Sequence, residues 1–492
     1  MSSPLRHTRL DLPRLRETIE RARAASTGNA KSPIVIARLE IDAFDPVRAF
    51  GRMAGPERFF WSQPDRAVAL VGEGMAVCVE TAGEQRIPQA GTRVAEEMSR
   101  VFCVDSEGRE AVRWLGGFSF DARHTARDEW ADFPGGRMIL PEWLLECGPQ
   151  GTGAVLARPV LEGEEMEAVL ADFEIRARHV GSLVEESDEG RMAPASSFES
   201  MGQAGPEYAV AADRPHAVYC DQVQAAIEAI GAGDFEKVVV ARSLEVRHAG
   251  RYRLEDFLRR LSSVYPSCTV MALGHGDATL VAASPEFLVS LEGKAVRTQA
   301  LAGSAARGSS PDQDEDLGRR LVESKKEQHE HAAVVGAVRD ALAEVCGELD
   351  GPEAPALLKM EGIQHLSTPL SGRLQSAEGV KSVLELVDLL HPTPAVCGLP
   401  RECASEWLHA HEKLDRGWYA GPVGWMTAEG DGDFWLALRA GLIRQPSDPS
   451  SEGMALARLY AGAGVVEGSR PESELAETRL KLRALLAPLT EI

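Results

Sequence analysis

Short apolar runs, bounded by glycines and polar residues, recur along the chain and have the length of β-strands rather than helices. In the first part of the chain they lie at 68–71, 76–79 and 114–120. In the second part they lie at 237–242, 279–283, 287–291, 295–298, 418–426, 434–443 and 457–461. Turn sequences such as Glu292-Gly293 separate neighbouring runs. Close strands joined by tight turns predict mostly antiparallel sheets.

Helical periodicity appears in four other places, at 11–23, 221–230, 325–345 and in the last segment of the chain. The pattern therefore predicts an α+β fold with helices outside the sheets. Residues 185–216 are rich in Ser, Glu, Gly, Pro and Ala, which favours a linker there. We expect an N-terminal part with this linker at 1–215 and a catalytic region at 216–492.

The chain has 492 residues, 44% of them hydrophobic, and a formal net charge of −22. Such acidity argues against partners that are nucleic acids or anionic membranes. An anionic substrate would need local cations or a metal. The eight cysteines form no C-x-x-C pair, and no apolar signal core or membrane-length run is present. We expect a soluble, cytoplasmic protein in a reducing compartment.

The helix at 325–345 carries an apolar stripe of Val334, Val338 and Leu342. Continued toward the N-terminus, this stripe reaches Glu330 and then Glu327. A buried pair of carboxylates is costly unless a cation neutralises it.

The C-terminal helix repeats this arrangement, since Glu474, Glu477, Lys481 and Leu485 fall on one face. Two inward acidic pairs could converge on Mg²⁺, which prefers oxygen ligands. The alternative is that all four glutamates belong to solvated helix faces, and helical spacing alone leaves both interpretations open.

The glycine-rich stretch 462–468 resembles a loose dinucleotide-binding fingerprint. That fold needs a second strand and an acidic residue further on, whereas only one helix follows here. We therefore expect a loop at Gly462 and Gly464 whose small residues let backbone N–H groups approach an anion.

Taken together, these segments resemble the chorismate-utilising enzymes, which include isochorismate, salicylate, anthranilate and aminodeoxychorismate synthases. The resemblance extends from about residue 221 to 489. Its motifs lie at 237–242, 284–286, 301–304, 324–331, 364–368, 391–398, 416–421, 439, 461–466, 474, 477 and 481.

The resemblance implies two large facing antiparallel sheets with the site between them. It implies Glu330 and Glu477 as direct magnesium ligands, supported by Glu327 and Glu474, with the metal holding the ring carboxylate of chorismate. The positions that match substrate-binding residues of the family are Gly303, Ser304, His365, Tyr419, Arg439, Gly462, Gly464 and Lys481.

Within this family, Lys237 matches the base of the members that add water, whereas ammonia-using members usually carry a non-basic residue there. A lysine can act as a base only where its surroundings favour the neutral amine. Glu286 resembles the acid that protonates the departing C4 hydroxyl, so its pKa should be raised. Ala302 stands where aminodeoxychorismate synthases often carry a lysine nucleophile. These matches imply isochorismate synthesis.

The enzyme alternative is salicylate synthesis, in which isochorismate formation is followed by elimination of pyruvate. The aromatic segments 59–65, 116–121 and 130–134, with 140–141, resemble isochorismate-forming members of the menaquinone type. We expect most of these aromatic side chains to pack in the core. The product would serve menaquinone or siderophore synthesis, and we expect a monomer.

Overall fold

A computed structural model describes residues 10–25, 31–149, 151–185, 208–375, 380–445 and 454–490. Most of the predicted linker lies outside the described residues. The α-helices are α1 (Leu12–Ala25), α2 (Pro46–Gly51), α3 (Arg86–Met98), α4 (Ser106–Glu110), α5 (Met166–Val184), α6 (His216–Ala232), α7 (Leu254–Val264), α8 (Pro311–Glu323), α9 (Lys325–Ala343), α10 (Val383–Leu390), α11 (Arg401–His411) and α12 (Pro471–Thr490).

The strands that precede the linker are β1 (Ile34–Glu40), β2 (Arg58–Gln63), β3 (Val68–Glu73), β4 (Val77–Thr81), β5 (Val101–Cys103), β6 (Arg113–Phe118), β7 (Gly136–Leu140), β8 (Trp143–Gly148) and β9 (Gly151–Pro159). Those that follow are β10 (Tyr208–Ala212), β11 (Lys237–His248), β12 (Thr269–His275), β13 (Ala278–Ser284), β14 (Phe287–Glu292), β15 (Ala295–Ala306), β16 (Cys346–Asp350), β17 (Ala356–Lys359), β18 (Ile363–Leu374), β19 (Gly398–Leu399), β20 (Pro422–Thr427), β21 (Gly432–Leu436), β22 (Ala440–Arg444) and β23 (Ala455–Val466).

These strands form two large sheets, as the α+β prediction required. The first sheet has the order β10-β11-β23-β22-β13-β12-β2-β3-β8-β9-β1-β5, with β19 paired to β11. The second has the order β16-β18-β15-β14-β21-β20-β6-β7-β4, with β17 paired to β18. Among the described strands only β1 and β5 pair in parallel. In each sheet the strands from after the linker form one block and those from before it form another, and the blocks join where β12 pairs with β2 and where β20 pairs with β6. The two parts of the chain therefore share one framework.

The two sheets pack face to face over the largest core cluster. Trp61 of the first sheet meets Trp425 of the second edge to face, with ring centroids 6.3 Å apart. The first sheet is also covered on its other face, by a second core cluster that includes residues of α1, α5, α7 and α12. In β13, Leu280 points to the first cluster and Val281 to the second. Burial on both faces explains why this strand is a continuous apolar run.

Several connections cross from one sheet to the other, and two of them lie side by side. The first, at Pro285 and Glu286, joins β13 to β14. The second joins β21 to β22 and contains Arg439, whose φ is +45°. The single strand predicted at 434–443 is therefore wrong, because the chain changes sheets within it. The backbone N–H of Leu436 donates to the carbonyl of Glu286 at 3.0 Å, which ties the two crossings together.

The predicted glycine loop is also wrong. Gly462 and Gly464 lie within β23, which continues to Val466 and pairs along its whole length with β11. Glycine lacks the β-branched character that marks strands, so the pattern was typical of a loop. The helices predicted at 11–23, 221–230, 325–345 and the C-terminal segment correspond to α1, α6, α9 and α12. No helix among the described residues has the length and apolarity to cross a bilayer.

Candidate active site

A cavity lies at the two crossings, between the ends of β11, β13, β15, β18 and β23 and the helices α9 and α12. Most of the residues predicted from the sequence line it, although they come from distant parts of the chain. They are Lys237, Glu286, Gly303, Ser304, Glu330, His365, Tyr419, Arg439, Gly462, Gly464, Glu477 and Lys481.

Lys237 begins β11 and is only 4% exposed. Its Nζ donates a hydrogen bond to Glu330 Oε1 at 2.7 Å. Gly464 borders the same pair, because a Cβ placed there would lie 3.2 Å from both the Glu330 oxygen and Lys237 Cε. The glycine in the neighbouring strand therefore leaves the space in which the lysine and the glutamate meet.

Glu286 is buried at the first crossing, and its backbone N–H donates to Ser284 Oγ at 3.1 Å. Burial raises the pKa of its carboxyl to about 8, although the charges of Lys237, Lys481 and Arg439 act in the opposite direction. Desolvation disfavours the charged form of an acid, and here it outweighs three nearby cations. With this pKa most Glu286 side chains carry a proton at neutral pH, which is the state that a general acid needs.

Arg439 is buried at the second crossing. Its guanidinium donates to Met360 Sδ at 3.3 Å and lies 5.7 Å from the ring centroid of Tyr265. Within the described residues it forms no ion pair with a carboxylate. A buried cation without an anionic partner is costly, so this one is suited to receive the carboxylate of a ligand.

His365 lies between Arg439 and Ser304. Its Nε2 is 3.4 Å from the Arg439 guanidinium and its Nδ1 is 2.8 Å from Ser304 Oγ. Burial and the charge of Arg439 lower the pKa of this histidine well below its usual value. Since the guanidinium is always a donor, Nε2 must accept and Nδ1–H must donate to Ser304. A neutral imidazole in one tautomer therefore links β18 to the bend at Gly303, whose φ is +78°.

Tyr419 and Lys481 both contact Gly462 on β23. The Lys481 ammonium donates to the carbonyl of Gly462 at 3.0 Å and lies 2.7 Å from Glu477 Oε1. A Cβ at Gly462 would lie 3.4 Å from the Tyr419 hydroxyl. The tyrosine ring stacks on Tyr460, with centroids 5.2 Å apart and an interplanar angle of 16°.

The four predicted metal-binding glutamates come together from α9 and α12. Burial and the charge of Glu330 raise the pKa of Glu327, and burial together with Glu477 raises the pKa of Glu474 to about 7. Burial also acts to raise the pKa of Glu330, but the charge of Lys237 overrides it and the pKa is lowered. Glu474 is buried and the Glu330 side chain is only 13% exposed, so the solvated-face alternative is wrong for these two carboxylates.

Glu327 and Glu474 do not line the cavity itself. The Glu327 carboxylate accepts from the backbone N–H of Ser304 at 3.3 Å, and Glu474 is hydrogen-bonded to Ser469. Among the described residues, no three acidic, histidine or cysteine side chains are already arranged around a common metal position. Carboxylate oxygens that repel one another nonetheless fit the donor chemistry that a hard divalent cation prefers.

The sequence did not indicate which apolar residues form the walls of the cavity, nor that a buried ion pair supports them. The unpredicted lining residues are Val239, Pro285, Leu301, Ala395, Val396, Arg416, Ala420, Leu438, Tyr460 and Ala461. Arg416 donates to both carboxylate oxygens of Glu412 at 2.7 and 2.6 Å, and to the carbonyls of Val239 and Val396. Glu412 also accepts from the backbone N–H of Ala241 at 2.6 Å. The i, i+4 spacing of this pair on the chain was the available signal.

Ala302 lies in β15 with its side chain buried, beside Ala300 and Val334, so no amine is present at this part of the wall.

The predicted core role of the N-terminal aromatic residues is confirmed. Trp61, Trp114, Phe118, Trp130 and Phe133 are all at most 2% exposed and belong to the cluster between the sheets.

The cavity lies between two mostly antiparallel sheets and is lined by clustered carboxylates, by paired lysines and by Arg439, which has no ion pair within the described residues. Such a site suits a small anionic ligand. The model of the chorismate binding enzyme family matches residues 18–490. The chain belongs to the chorismate-binding enzyme family.

Relatives of known name support this assignment. The chain is 33% identical over 482 residues to the salicylate biosynthesis isochorismate synthase of Pseudomonas aeruginosa, covering 97% of this chain and 94% of that protein. It is 32% identical over 462 residues to isochorismate synthase MenF of Bacillus subtilis, covering 92% of each. The structure of the menaquinone-specific isochorismate synthase MenF of Escherichia coli superposes with a TM-score of 0.73. That match has 23% identity and covers 98% of this chain and 100% of the other, which supports the two-sheet fold.

Proposed function

We propose that the protein is an isochorismate synthase, which converts chorismate to isochorismate. Water enters at C2 of the ring, the two ring double bonds shift, and the C4 hydroxyl leaves as water. One proton is removed and one is supplied, so the product is an isomer of the substrate. The observation that carries the proposal is a lysine and a protonated carboxylic acid that line the same cavity.

In this proposal the cations of the site hold the two carboxylates of chorismate. Arg439 lacks an ion pair within the described residues, and its guanidinium is fixed by two sulfur atoms and by His365. Tyr419 and Lys481 line the same cavity, where both lie against Gly462. Gly303 and Ser304 lie against the ring, where the positive φ of the glycine brings the backbone close.

Glu330 and Glu477 would hold Mg²⁺ directly, and Glu327 and Glu474 would support them. Bound there, the ion neutralises the clustered carboxylates and provides a positive charge for the ring carboxylate of the substrate. The support is the chemistry of the donors, since the four carboxylates repel one another and two of them have raised pKa values.

Lys237 is the proposed base and Glu286 the proposed acid. The lysine amine accepts a proton from the water that attacks C2, and the carboxyl of Glu286 donates its proton to the C4 oxygen as that bond breaks. An ammonium group cannot accept a proton, so the amine must be neutral at this moment. The Glu330 oxygen that accepts its hydrogen bond in this structure is also a proposed metal ligand.

The direct test is to incubate the purified protein with chorismate and Mg²⁺ and to separate the products by chromatography. Isochorismate should be the main product, and EDTA should abolish its formation. Lys237→Ala and Glu286→Gln should both lose turnover. Lys359→Ala is a matched control, because Lys359 also pairs with an acid, Asp314, at 2.9 Å but lies outside the cavity.

Other products of this assay would reject or reassign the proposed activity. Salicylate and pyruvate as main products would assign the protein to salicylate synthesis instead. Intact chorismate would reject both activities. If isochorismate is formed, we infer that a following enzyme uses it for menaquinone or siderophore synthesis, and restoration of menaquinone in a strain lacking isochorismate synthase would test the first of these pathways.

A further inference from the structure

A second cavity, of about 480 Å³, borders the proposed active site on the side of α7 and α12. We call it the outer cationic cavity and define it by Arg260, Tyr265, Glu361, Arg439, Lys481 and Arg483. Arg260 extends from α7 and Arg483 from α12, while Glu361 comes from the turn before β18. The cavity is therefore enclosed by three elements that are far apart in sequence.

The outer cationic cavity is strongly positive in a protein that is strongly negative. Four cationic side chains line it against one carboxylate, whereas the whole chain has a net charge of −22. Neither Arg260 nor Arg483 forms an ion pair within the described residues. Because their charges are not neutralised locally, they create a positive field at the mouth of the cavity.

The two cavities share Arg439 and Lys481 as lining residues. The guanidinium of Arg439 lies over the ring of Tyr265, which faces the outer cationic cavity, and also contacts His365, which faces the active site. A carboxylate that first meets Arg260 and Arg483 would thus find the next cations at the boundary with the active site. Arg260 and Arg483 line only the outer cationic cavity, whereas Arg439 and Lys481 line both cavities.

A third cavity, which borders the active site at other residues, has different chemistry. It shares Lys237 and Glu330 with the active site and is lined by the acids Asp234, Glu236 and Glu467. Its carboxylates outnumber its lysines, so it disfavours an approaching dianion and suits a cation. The charge distribution therefore distinguishes two approaches to the same site.

We propose that the outer cationic cavity is the entrance by which the anionic substrate reaches the active site, and that Arg260 and Arg483 are its capture residues. The class of ligand is a small ring compound with two carboxylates, so the proposal rests on the proposed function. Arg260 and Arg483 do not line the active-site cavity. They speed encounter with the substrate and leave the chemical step unchanged.

The test is the double variant Arg260→Gln/Arg483→Gln, assayed with chorismate at ionic strengths from about 20 mM to 500 mM. We expect kcat/KM to fall about tenfold at low ionic strength while kcat is unchanged, because steering accelerates association by about tenfold or more. The difference from the wild type should shrink to about twofold at high salt, where the field is screened. Arg260→Glu/Arg483→Glu should reduce kcat/KM further.

The matched control is Arg14→Gln/Arg21→Gln, which removes the same charge from α1. That helix packs against β1 and β5, at the other end of the first sheet. A control that loses as much kcat/KM as the cavity variant would overturn the proposal, since net charge would then explain the effect. So would a cavity variant whose kcat/KM and salt dependence match the wild type, or one that loses kcat to the same extent as kcat/KM. Thermal unfolding confirms that each variant is folded.

Failure of the proposed function can be told apart from failure of this proposal. If the wild type does not turn over chorismate, the association rate of 5-fluoroisophthalate, a ring dicarboxylate, is measured by ¹⁹F exchange spectroscopy. A rate that falls at least about fivefold in the cavity variant and remains high in the α1 control supports the entrance. Equal rates, or no detectable binding to the wild type, contradict it.

Discussion

Replacing Glu286 by glutamine keeps the size of the side chain and removes its transferable proton. The structure makes this acid a buried group whose pKa is raised to about 8. With that value about nine-tenths of the molecules carry the proton at pH 7, whereas with an ordinary glutamate value fewer than about one in a hundred would. The variant therefore tests whether the raised pKa serves proton donation.

The expected loss follows from the role of a general acid. Removing one such group lowers the rate by about 10² to 10⁴, which corresponds to about 3 to 5 kcal/mol in the activation free energy. The loss should appear in kcat, because Glu286→Gln removes no charge from the protonated form that binds the substrate. Wild-type kcat should decline as pH rises through about 8, where the acid loses its proton.

The same group makes a separate prediction for stability. A folded pKa above the unfolded one means that the contribution of Glu286 to stability is complete below its unfolded pKa, near 4.5, and is lost as pH rises toward 8. Between these values the free energy of unfolding should decrease by about 1.4 kcal/mol per pH unit on account of this group. Glu286→Gln should remove that part of the slope.

The assay is the initial rate of isochorismate formation between pH 6 and 10, paired with denaturant unfolding at pH 5.5 and 7.5. Glu286→Asp is a useful comparison, because it retains an acid but withdraws it by one methylene. The reasoning is refuted if the glutamine variant keeps more than about a tenth of wild-type kcat, or if its unfolding free energy changes with pH as much as that of the wild type.

Three other substitutions probe the remaining walls of the site. Lys237→Ala should lower kcat by about 10² or more with little change in KM, and unchanged turnover would reject its role as the base. Gly464→Ala places a Cβ 3.2 Å from Glu330 Oε1. We expect kcat/KM to fall at least about tenfold, with little change in thermal unfolding. A variant with wild-type kcat/KM would show that the space left by Gly464 beside Glu330 is unimportant. Met360→Glu gives Arg439 a carboxylate partner, so KM should rise about tenfold or more. The control Met360→Leu should change KM by less than about threefold. Equal KM values for the two variants would contradict a substrate-binding role for Arg439.

The stripe of Val334, Val338 and Leu342 determined that Glu330 points inward, because helical spacing fixes which residues share a face. The family motifs added which residues lie at the site. Spacing could not decide whether the two acidic helices meet, since that depends on how α9 and α12 pack against β15 and β23. The raised pKa of Glu286 likewise follows from desolvation by residues distant in sequence.

At two places the tertiary structure gives a conformation that the sequence pattern does not predict. The run 434–443 is apolar except for Arg439 and Gly441, yet Arg439 adopts a positive φ and the chain passes to the other sheet. Gly462 and Gly464 have the composition of a loop, yet pairing with β11 holds them in a strand. Local sequence records what each residue prefers, whereas long-range pairing and burial determined which conformation it takes. The active site lies where local preference and long-range pairing disagree, at Arg439 between the sheets and at the two glycines of β23.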